Sequence, residues 1–188
     1  MLRNASRLYS RGVLTCTRPN LFIRQGLTQT DKDEQVKIQA FMDWIAKKPA
    51  HLLLGKKAKS DQDFREEFEL MTGKAFTPEN FRQYRLDLIA RKTDGFVFYW
   101  GKALSVSGGY EVGALMEMQK QTGKKIPIFF AEREPIKTTL LRELPGAFYC
   151  RFEHPQELEK PFNNYLAVVQ AEMQKRQHIA TQTLGLRR

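Results

Sequence analysis

Short apolar runs alternate with segments of helical periodicity from residue 20 onward, and this alternation constrains the fold more than any other feature. The runs that we predict as strands are 20–25, 51–56, 95–100, 125–131 and 147–152. Apolar strands separated by amphipathic helices are typical of a parallel sheet that is covered by helices on both faces. The sequence therefore predicts one five-stranded, doubly wound α/β domain of the flavodoxin type, with strand order 2-1-3-4-5.

The helices between these strands are predicted from apolar spacing and from Pro and Gly at their ends. They span 31–48, 61–72, 78–92 and 109–122, with a short helix after residue 135 and a last helix from 155 to 176. The chain of 188 residues shows no internal repeat and no interdomain linker. We therefore place a single domain at 19–176, with a flexible basic tail at 177–188.

The net charge of +10 lies mainly at the two ends of the chain. Residues 1–18 hold four arginines and no acid, and residues 173–188 hold four basic residues and no acid. Without these eight positive charges the centre has a net charge of only +2. This distribution disfavours nucleic acid as a partner, because phosphate-backbone binding needs a basic face on the folded domain. No apolar run is long enough to cross a bilayer.

The N-terminal segment has the composition of a mitochondrial transit peptide. Arg3, Arg7 and Arg11 fall on one helical face, and no acid precedes Asp31. Basic, Ser-rich and acid-poor segments of this kind are typical of mitochondrial targeting. We therefore predict a transit peptide at 1–18 and a location in the mitochondrial matrix, with an ordinary disordered basic tail as the alternative.

The cysteines and histidines predict neither a metal site nor a disulfide. Cys16 falls in the predicted leader and Cys150 in a predicted strand, so the two do not form a framework. The three histidines (His51, His154 and His178) are scattered without the spacing of metal ligands. We expect neither a metal nor another cofactor.

Two acids flank the third predicted strand. Asp87 lies on the helix before it, and Glu111 lies after the Ser/Gly-rich segment that follows it. In this topology both can overhang the carboxyl edge of the sheet. Two neighbouring carboxyl groups can take different roles in the cleavage of a glycosidic bond, one as the nucleophile and the other as the acid. The plainer alternative is a solvated helix residue for Asp87 and a helix-dipole preference for Glu111.

The segment before Glu111 also suits an anionic group. Ser105, Ser107, Gly108 and Gly109 supply hydroxyls and small residues at the start of the next helix, where backbone N–H groups can hold phosphate. Ser/Gly stretches also form plain turns, so this alternative stays open.

Together these residues resemble a known family. Segment 87–97 reads Asp-Leu-Ile-Ala-Arg-Lys-Thr-Asp-Gly-Phe-Val, and segment 105–114 reads Ser-Val-Ser-Gly-Gly-Tyr-Glu-Val-Gly-Ala. They resemble the nucleoside 2-deoxyribosyltransferase superfamily, and most of all its 2′-deoxynucleoside 5′-phosphate N-hydrolases. The resemblance implies that Glu111 attacks the anomeric carbon of the sugar and that Asp87 assists the departing base as an acid. Ser105 stands where transferases of unphosphorylated nucleosides have an acid, which implies a nucleotide substrate.

The resemblance also implies a homodimer, in which the partner subunit contributes a hydroxyl to the phosphate site. Thr139 is the loose match to that residue. At the first-strand loop the family has an aromatic residue and a Gly-containing turn, for which Phe22 and Gly26 are the candidates here. Phe22 lacks a tyrosine hydroxyl, which is a departure from the family pattern.

Three other functions compete with this interpretation. The Ser-Gly-Gly-Tyr segment is faintly similar to the loop of cytokinin-activating nucleotide phosphoribohydrolases, but the Pro, Thr and paired Glu of that motif are missing. Hydrolysis of the nicotinamide bond of NAD could also use a single glutamate. The alternative from another class is a non-catalytic subunit of a mitochondrial assembly that retains an enzyme-like fold.

Overall fold

The computed structural model describes residues 18–25, 31–53, 61–101, 106–136 and 138–185. Its centre is a five-stranded sheet in the order β2-β1-β3-β4-β5, in which every neighbouring pair is parallel. The predicted fold class and strand order are therefore confirmed.

The strands are short and the helices connect them in turn. The strands are β1 (Asn20–Arg24), β2 (His51–Leu52), β3 (Gly95–Trp100), β4 (Ile128–Glu132) and β5 (Ala147–Arg151). The helices are α1 (Lys32–Ile45), α2 (Asp61–Thr72), α3 (Pro78–Asp87), α4 (Val106–Thr122) and α5 (Glu159–Gly185). A π-helical turn (Leu88–Lys92) follows α3, and 3-10 turns span Thr139–Leu141 and Pro155–Leu158.

Alternate residues of the strands face two separate hydrophobic cores, because successive side chains in a strand point to opposite faces. On one face, Leu21 and Ile23 of β1 pack in a core with residues of α1 and α5. On the other, Phe22 packs with the π-helical turn and α4. Arg24 follows Phe22 by two residues, so it continues the α4 face at the carboxyl end of β1.

The strand order reverses between β1 and β3. These strands pair from Leu21 with Gly95 to Arg24 with Phe98. In open α/β sheets a ligand crevice forms outside the carboxyl ends of the strands at such a reversal. A ligand site is therefore expected at the side chains that follow β1 and β3 on the α4 face.

At the opposite edge, Asp94 joins three elements. Its carboxylate accepts a hydrogen bond from the Asn20 backbone N–H at 3.0 Å and one from Arg176 Nη2 at 2.6 Å. Arg176 of α5 also donates to the Lys125 carbonyl at 3.0 Å. Asp94, which belongs to segment 87–97, thus links the start of β3 to β1 and α5.

The structure corrects two predicted helix boundaries. α4 begins at Val106, so Ser107, Gly108 and Gly109 lie in its first turn and not in a loop before it. Helix propensity is a weak signal that tertiary context often overrides, so two glycines do not prevent a helix from beginning here.

α5 runs to Gly185 and does not end at 176, so most of the predicted flexible tail is helical. No Pro or Gly interrupts the chain between these two points, which lets the helix continue.

Two other predicted elements are altered. The predicted helix 78–92 changes to a π-helical turn at Leu88, where Thr93 N donates to the Leu88 carbonyl at 3.0 Å. β2 covers only His51–Leu52 of the predicted strand 51–56, and residues 54–56 lie outside the described part of the chain.

Candidate functional site

A cavity of about 240 Å³ lies where β1, α3 and α4 meet. Its polar side chains are Arg24, Arg82, Arg85, Ser107 and Glu111. Its other walls are Pro78, Phe81, Leu86 and Tyr110. The cavity thus combines charge with aromatic surface at the strand reversal, which is a common place for a small-molecule site.

Helical spacing brings the lining residues together. Residues three and four apart share one face of a helix, and α3 contributes Phe81, Arg82 and Arg85 in this way. Ser107 and Glu111 of α4 are related by the same spacing. Arg24 reaches the cavity as the last residue of β1.

Glu111 is the central charged group of this cavity. Only 5% of the residue is exposed. Its Oε1 accepts a hydrogen bond from Arg85 Nε, and its Oε2 lies 3.2 Å from Arg24 Nε. Among the described residues, Oε2 has no aligned hydrogen bond. Two arginines therefore hold a nearly buried carboxylate and leave one of its oxygens without a donor aimed at it.

Arg85 lies close to two aromatic rings. Its guanidinium carbon lies 4.9 Å from the ring centre of Phe22 and 5.3 Å from that of Phe81. Such cation–π contacts orient the planar guanidinium group. Arg85 Nη2 is buried and has no hydrogen-bond partner among the described residues. Besides the Nε that donates to Glu111, Arg85 therefore offers a second, oriented donor, its Nη2.

Arg24 connects Glu111 to the start of α4. Its Nη2 donates to Ser107 Oγ, and its Nη1 donates to the Gln25 carbonyl at 2.7 Å. Burial lowers the pKa of Arg24, Glu111 raises it, and the nearby Arg85 lowers it. The positive charges in this site are thus kept close together against their mutual repulsion, with Glu111 between them.

Asp87 is not brought to Glu111. Its Oδ1 accepts a hydrogen bond from Gln83 Nε2 at 3.2 Å and lies 4.0 Å from Arg91 Nε, and its side chain is 48% exposed. It is absent from the described lining of the cavity. Its role as the acid stays a prediction.

The other predicted site residues lie in four different places. Ser107 lines the cavity, while Gly108 is buried and Gly109 half-buried in the same turn of α4. Phe22 is fully buried, and its ring stacks on Phe96 at 5.2 Å and also lies 4.9 Å from the guanidinium carbon of Arg85, through which it acts on the cavity.

Ser105 and Gly26 lie outside the described residues. Thr139 opens a 3-10 turn after β4.

The three arginines of the cavity were not predicted from the sequence. Arg82 and Arg85 carry a signal that could have found them, since they share one face of a predicted helix just before Asp87. Arg24 ends an apolar strand, where a charged side chain points to a site at the sheet edge.

A second buried acid, on the other face of the sheet, was also missed. Glu34 of α1 is 3% exposed and accepts a hydrogen bond from Tyr99 Oη at 3.1 Å. Burial is the largest cause of the raised pKa of Tyr99, and Glu34 adds to it. The pair satisfies two buried polar groups beside the carboxyl end of β3.

The described part of the chain has neither a metal-binding cluster nor a membrane-spanning helix. Within the described ranges, no group of three or more His, Cys, Asp and Glu side chains could hold a metal ion. None of the helices described there has both the length and the hydropathy that a bilayer span requires.

The fold and the cavity define an α/β protein with a cationic, partly aromatic pocket at the carboxyl edge of a parallel sheet. No known protein family matches the sequence, and no curated protein does so either.

Among solved structures, the chain is similar to the CMP N-glycosidase BcmB of Clostridium botulinum. The two share 19% sequence identity with a TM-score of 0.49, over 78% of this chain and 98% of that chain.

Proposed function

We propose that this protein hydrolyses the N-glycosidic bond of a nucleoside 5′-monophosphate, with Glu111 as the nucleophile. The observation that carries the proposal is the nearly buried Glu111 carboxylate, which faces a cavity at the strand reversal and is held by two arginines. Nucleophilic carboxylates of glycosidases need a fixed position beside the sugar, and a partly desolvated pocket strengthens their interaction with a developing oxocarbenium ion.

The proposed reaction has two steps. Glu111 Oε2 attacks the anomeric carbon, the bond from that carbon to the base nitrogen breaks, and its electron pair leaves with the base. The base takes a proton from an acid, for which Asp87 remains the proposed group. A water molecule then attacks the same carbon and gives one proton to Asp87, which the first step left as a carboxylate. The bond from that carbon to the Glu111 oxygen breaks, and the free sugar phosphate and the Glu111 carboxylate are released.

The cavity walls suit the rest of such a substrate. Phe81 and Tyr110 offer aromatic surfaces against which a base can stack. Arg82 and Arg85 offer positive charge to a phosphate. A volume of about 240 Å³ is close to the lower end of the range of ~300–1,000 Å³ that is usual for small-molecule sites. One small anionic ligand is therefore the class that fits.

The test measures the free base that the full chain releases from nucleotides. A panel of ribo- and deoxyribonucleoside 5′-monophosphates would be incubated with the wild type, with Glu111→Gln and with the matched control Glu117→Gln. Glu117 lies on the exposed side of the same helix and accepts a hydrogen bond from Gln121. We expect base release by the wild type and by Glu117→Gln, and a loss of at least ~10³-fold in Glu111→Gln. Equal release by Glu111→Gln and Glu117→Gln would refute the role of Glu111.

A non-catalytic subunit is the second candidate. It is favoured by one observation, that Asp87 pairs with Gln83 and Arg91 and does not line the described cavity beside Glu111. Absence of base release across the whole panel, from a protein that melts cooperatively, would favour it. Isolation of the chain from mitochondria would then show whether it is part of a larger assembly.

We also propose a mitochondrial matrix location and a homodimer. The first rests on the composition of residues 1–18 and the second on the family resemblance. Import into isolated mitochondria, with a chain that begins at residue 19 as the control, tests the location. Sedimentation of the purified protein tests the dimer.

A further inference from the structure

Arg82 and Arg85 give the cavity an excess of positive charge. They are three residues apart on α3 and both line the cavity, which also contains Arg24 and Glu111. The four side chains together carry a formal net charge of +2. A cleft with one sign of charge and low-dielectric walls concentrates ligands of the opposite sign.

Arg85 is the best oriented of these groups for an incoming anion. Its Nε donates to Glu111, while its Nη2 is buried without a partner among the described residues. The rings of Phe22 and Phe81 hold its guanidinium plane. A buried donor without an acceptor costs free energy, and an acceptor supplied by a ligand removes this cost.

In the structure, the anion bound to Arg85 is the Glu111 carboxylate of the protein itself. A carboxylate and a phosphate both bind a guanidinium group through two oxygens in one plane, so they compete for the same face. A phosphate monoester has three terminal oxygens and can bridge Arg82 and Arg85, which a single carboxylate in the position of Glu111 does not do.

We propose that Arg85, with Arg82, is the subsite for the phosphate group of the ligand, and that this phosphate displaces the Glu111 carboxylate from Arg85. Arg24 keeps its contact with Glu111 during the exchange. The phosphate site thus lies on α3, in addition to the hydroxyls and N–H groups of the Ser/Gly segment. That the released carboxylate then attacks the sugar rests on the function proposed above, whereas the exchange itself does not.

The test is binding measured by titration calorimetry with the full chain. The probes are inorganic phosphate, the common nucleoside 5′-monophosphates, and the corresponding nucleosides. We expect Glu111→Gln to bind the phosphate probes about tenfold more tightly than the wild type, because a neutral amide no longer competes for Arg85. Arg85→Met should weaken the same probes by about tenfold or more, and Arg82→Ala by a smaller factor, because Arg82 is exposed.

The controls separate a specific site from a general charge effect. Arg151→Ala removes an exposed arginine at the end of β5, outside the described lining of the cavity, and should leave all affinities unchanged. Nucleoside affinity should be the same in Arg85→Met and in the wild type.

Two results would overturn the proposal: phosphate affinity that is unchanged or weaker in Glu111→Gln, and phosphate affinity that is unchanged in Arg85→Met. Absence of phosphate binding by both the wild type and Glu111→Gln would overturn it as well. If Glu111→Gln does not fold, Arg85→Met and Arg82→Ala decide the question.

The proposal and the proposed function can fail separately. Tighter phosphate binding by Glu111→Gln, together with no base release by the wild type, would support the subsite and refute the glycosidase. Base release that depends on Glu111, with phosphate affinity unaffected by Arg85→Met, would support the glycosidase and refute the subsite.

Discussion

Replacing Glu111 by Gln should destabilise the protein by a calculable amount. The Arg24 and Arg85 side chains are only 15% and 13% exposed, and Glu111 supplies the negative charge that faces both. At 3.2 Å and an effective dielectric constant of about 20, the attraction in one pair is about 5 kcal/mol, from which the desolvation of both ions must be subtracted. Removing one partner of a buried pair usually costs ~3–5 kcal/mol. Because the amide oxygen of Gln can still accept one hydrogen bond, we expect a loss of about 3 kcal/mol.

Urea denaturation at pH 7 measures this loss, with Glu117→Gln as the reference for the same chemical change at an exposed position of α4. The proposed subsite adds a second expectation, that phosphate restores stability to Glu111→Gln. At a concentration 100 times its Kd, a ligand stabilises the folded state by ~2.7 kcal/mol. Chloride at equal ionic strength, and Glu117→Gln in phosphate, correct for general salt effects. A Glu111→Gln protein that is as stable as Glu117→Gln would refute the claim that the two arginines depend on this carboxylate.

Three further predictions concern the fold and the end of the chain. Arg176→Ala should cost about 1–2 kcal/mol in urea denaturation, because it removes a charged hydrogen bond to Asp94, and an unchanged midpoint would contradict this link. Gly95→Ala should cost about 1–3 kcal/mol in the same assay, because its new methyl group would meet the Tyr165 hydroxyl, and an unchanged stability would show that β3 can shift. Glu157 accepts hydrogen bonds from two backbone N–H groups, which lower its pKa from its ordinary value. Its charge therefore stabilises the fold at neutral pH, and this stability is lost as the pH falls through the lowered pKa. Thermal melting from pH 7 to pH 3 should therefore show wild type and Glu157→Gln converging, and a constant difference between them would contradict the assignment.

The sheet could be predicted from the sequence because its signal is local. The run 95–100 is apolar at every position, and all six residues of β3 are buried in the structure. The order of strands also followed from the alternation of elements, through the topology rules for parallel sheets. The helix boundaries were less predictable. The Ser/Gly segment has the composition of a loop, but in the structure it forms the first turn of α4.

The site was predictable only in part, because its geometry depends on contacts between distant elements. Glu111 could be found from its place after β3, but its two partners come from β1 and α3, 87 and 26 positions earlier in the chain. Arg85 in particular has no sequence signal that separates it from an ordinary helix residue, because its contacts with the Phe22 and Phe81 rings form only in the folded chain. A pattern within one helix does not contain this information, since it arises when the sheet is assembled.

The arginine pair also changes how Glu111 should be understood. A carboxylate that only stabilised two arginines would be expected to leave a closed and fully hydrogen-bonded cluster. Here Arg85 Nη2 is buried without a hydrogen bond among the described residues, and Glu111 Oε2 lies 3.2 Å from Arg24 Nε without an aligned one. All three side chains line the cavity. Two unsatisfied groups of opposite charge in one pocket match a ligand that supplies an anion to the arginine and an electrophilic carbon to the carboxylate. A purely structural cluster should lose stability in Glu111→Gln without regaining it in phosphate, so the rescue experiment separates the two interpretations without any need to know the substrate.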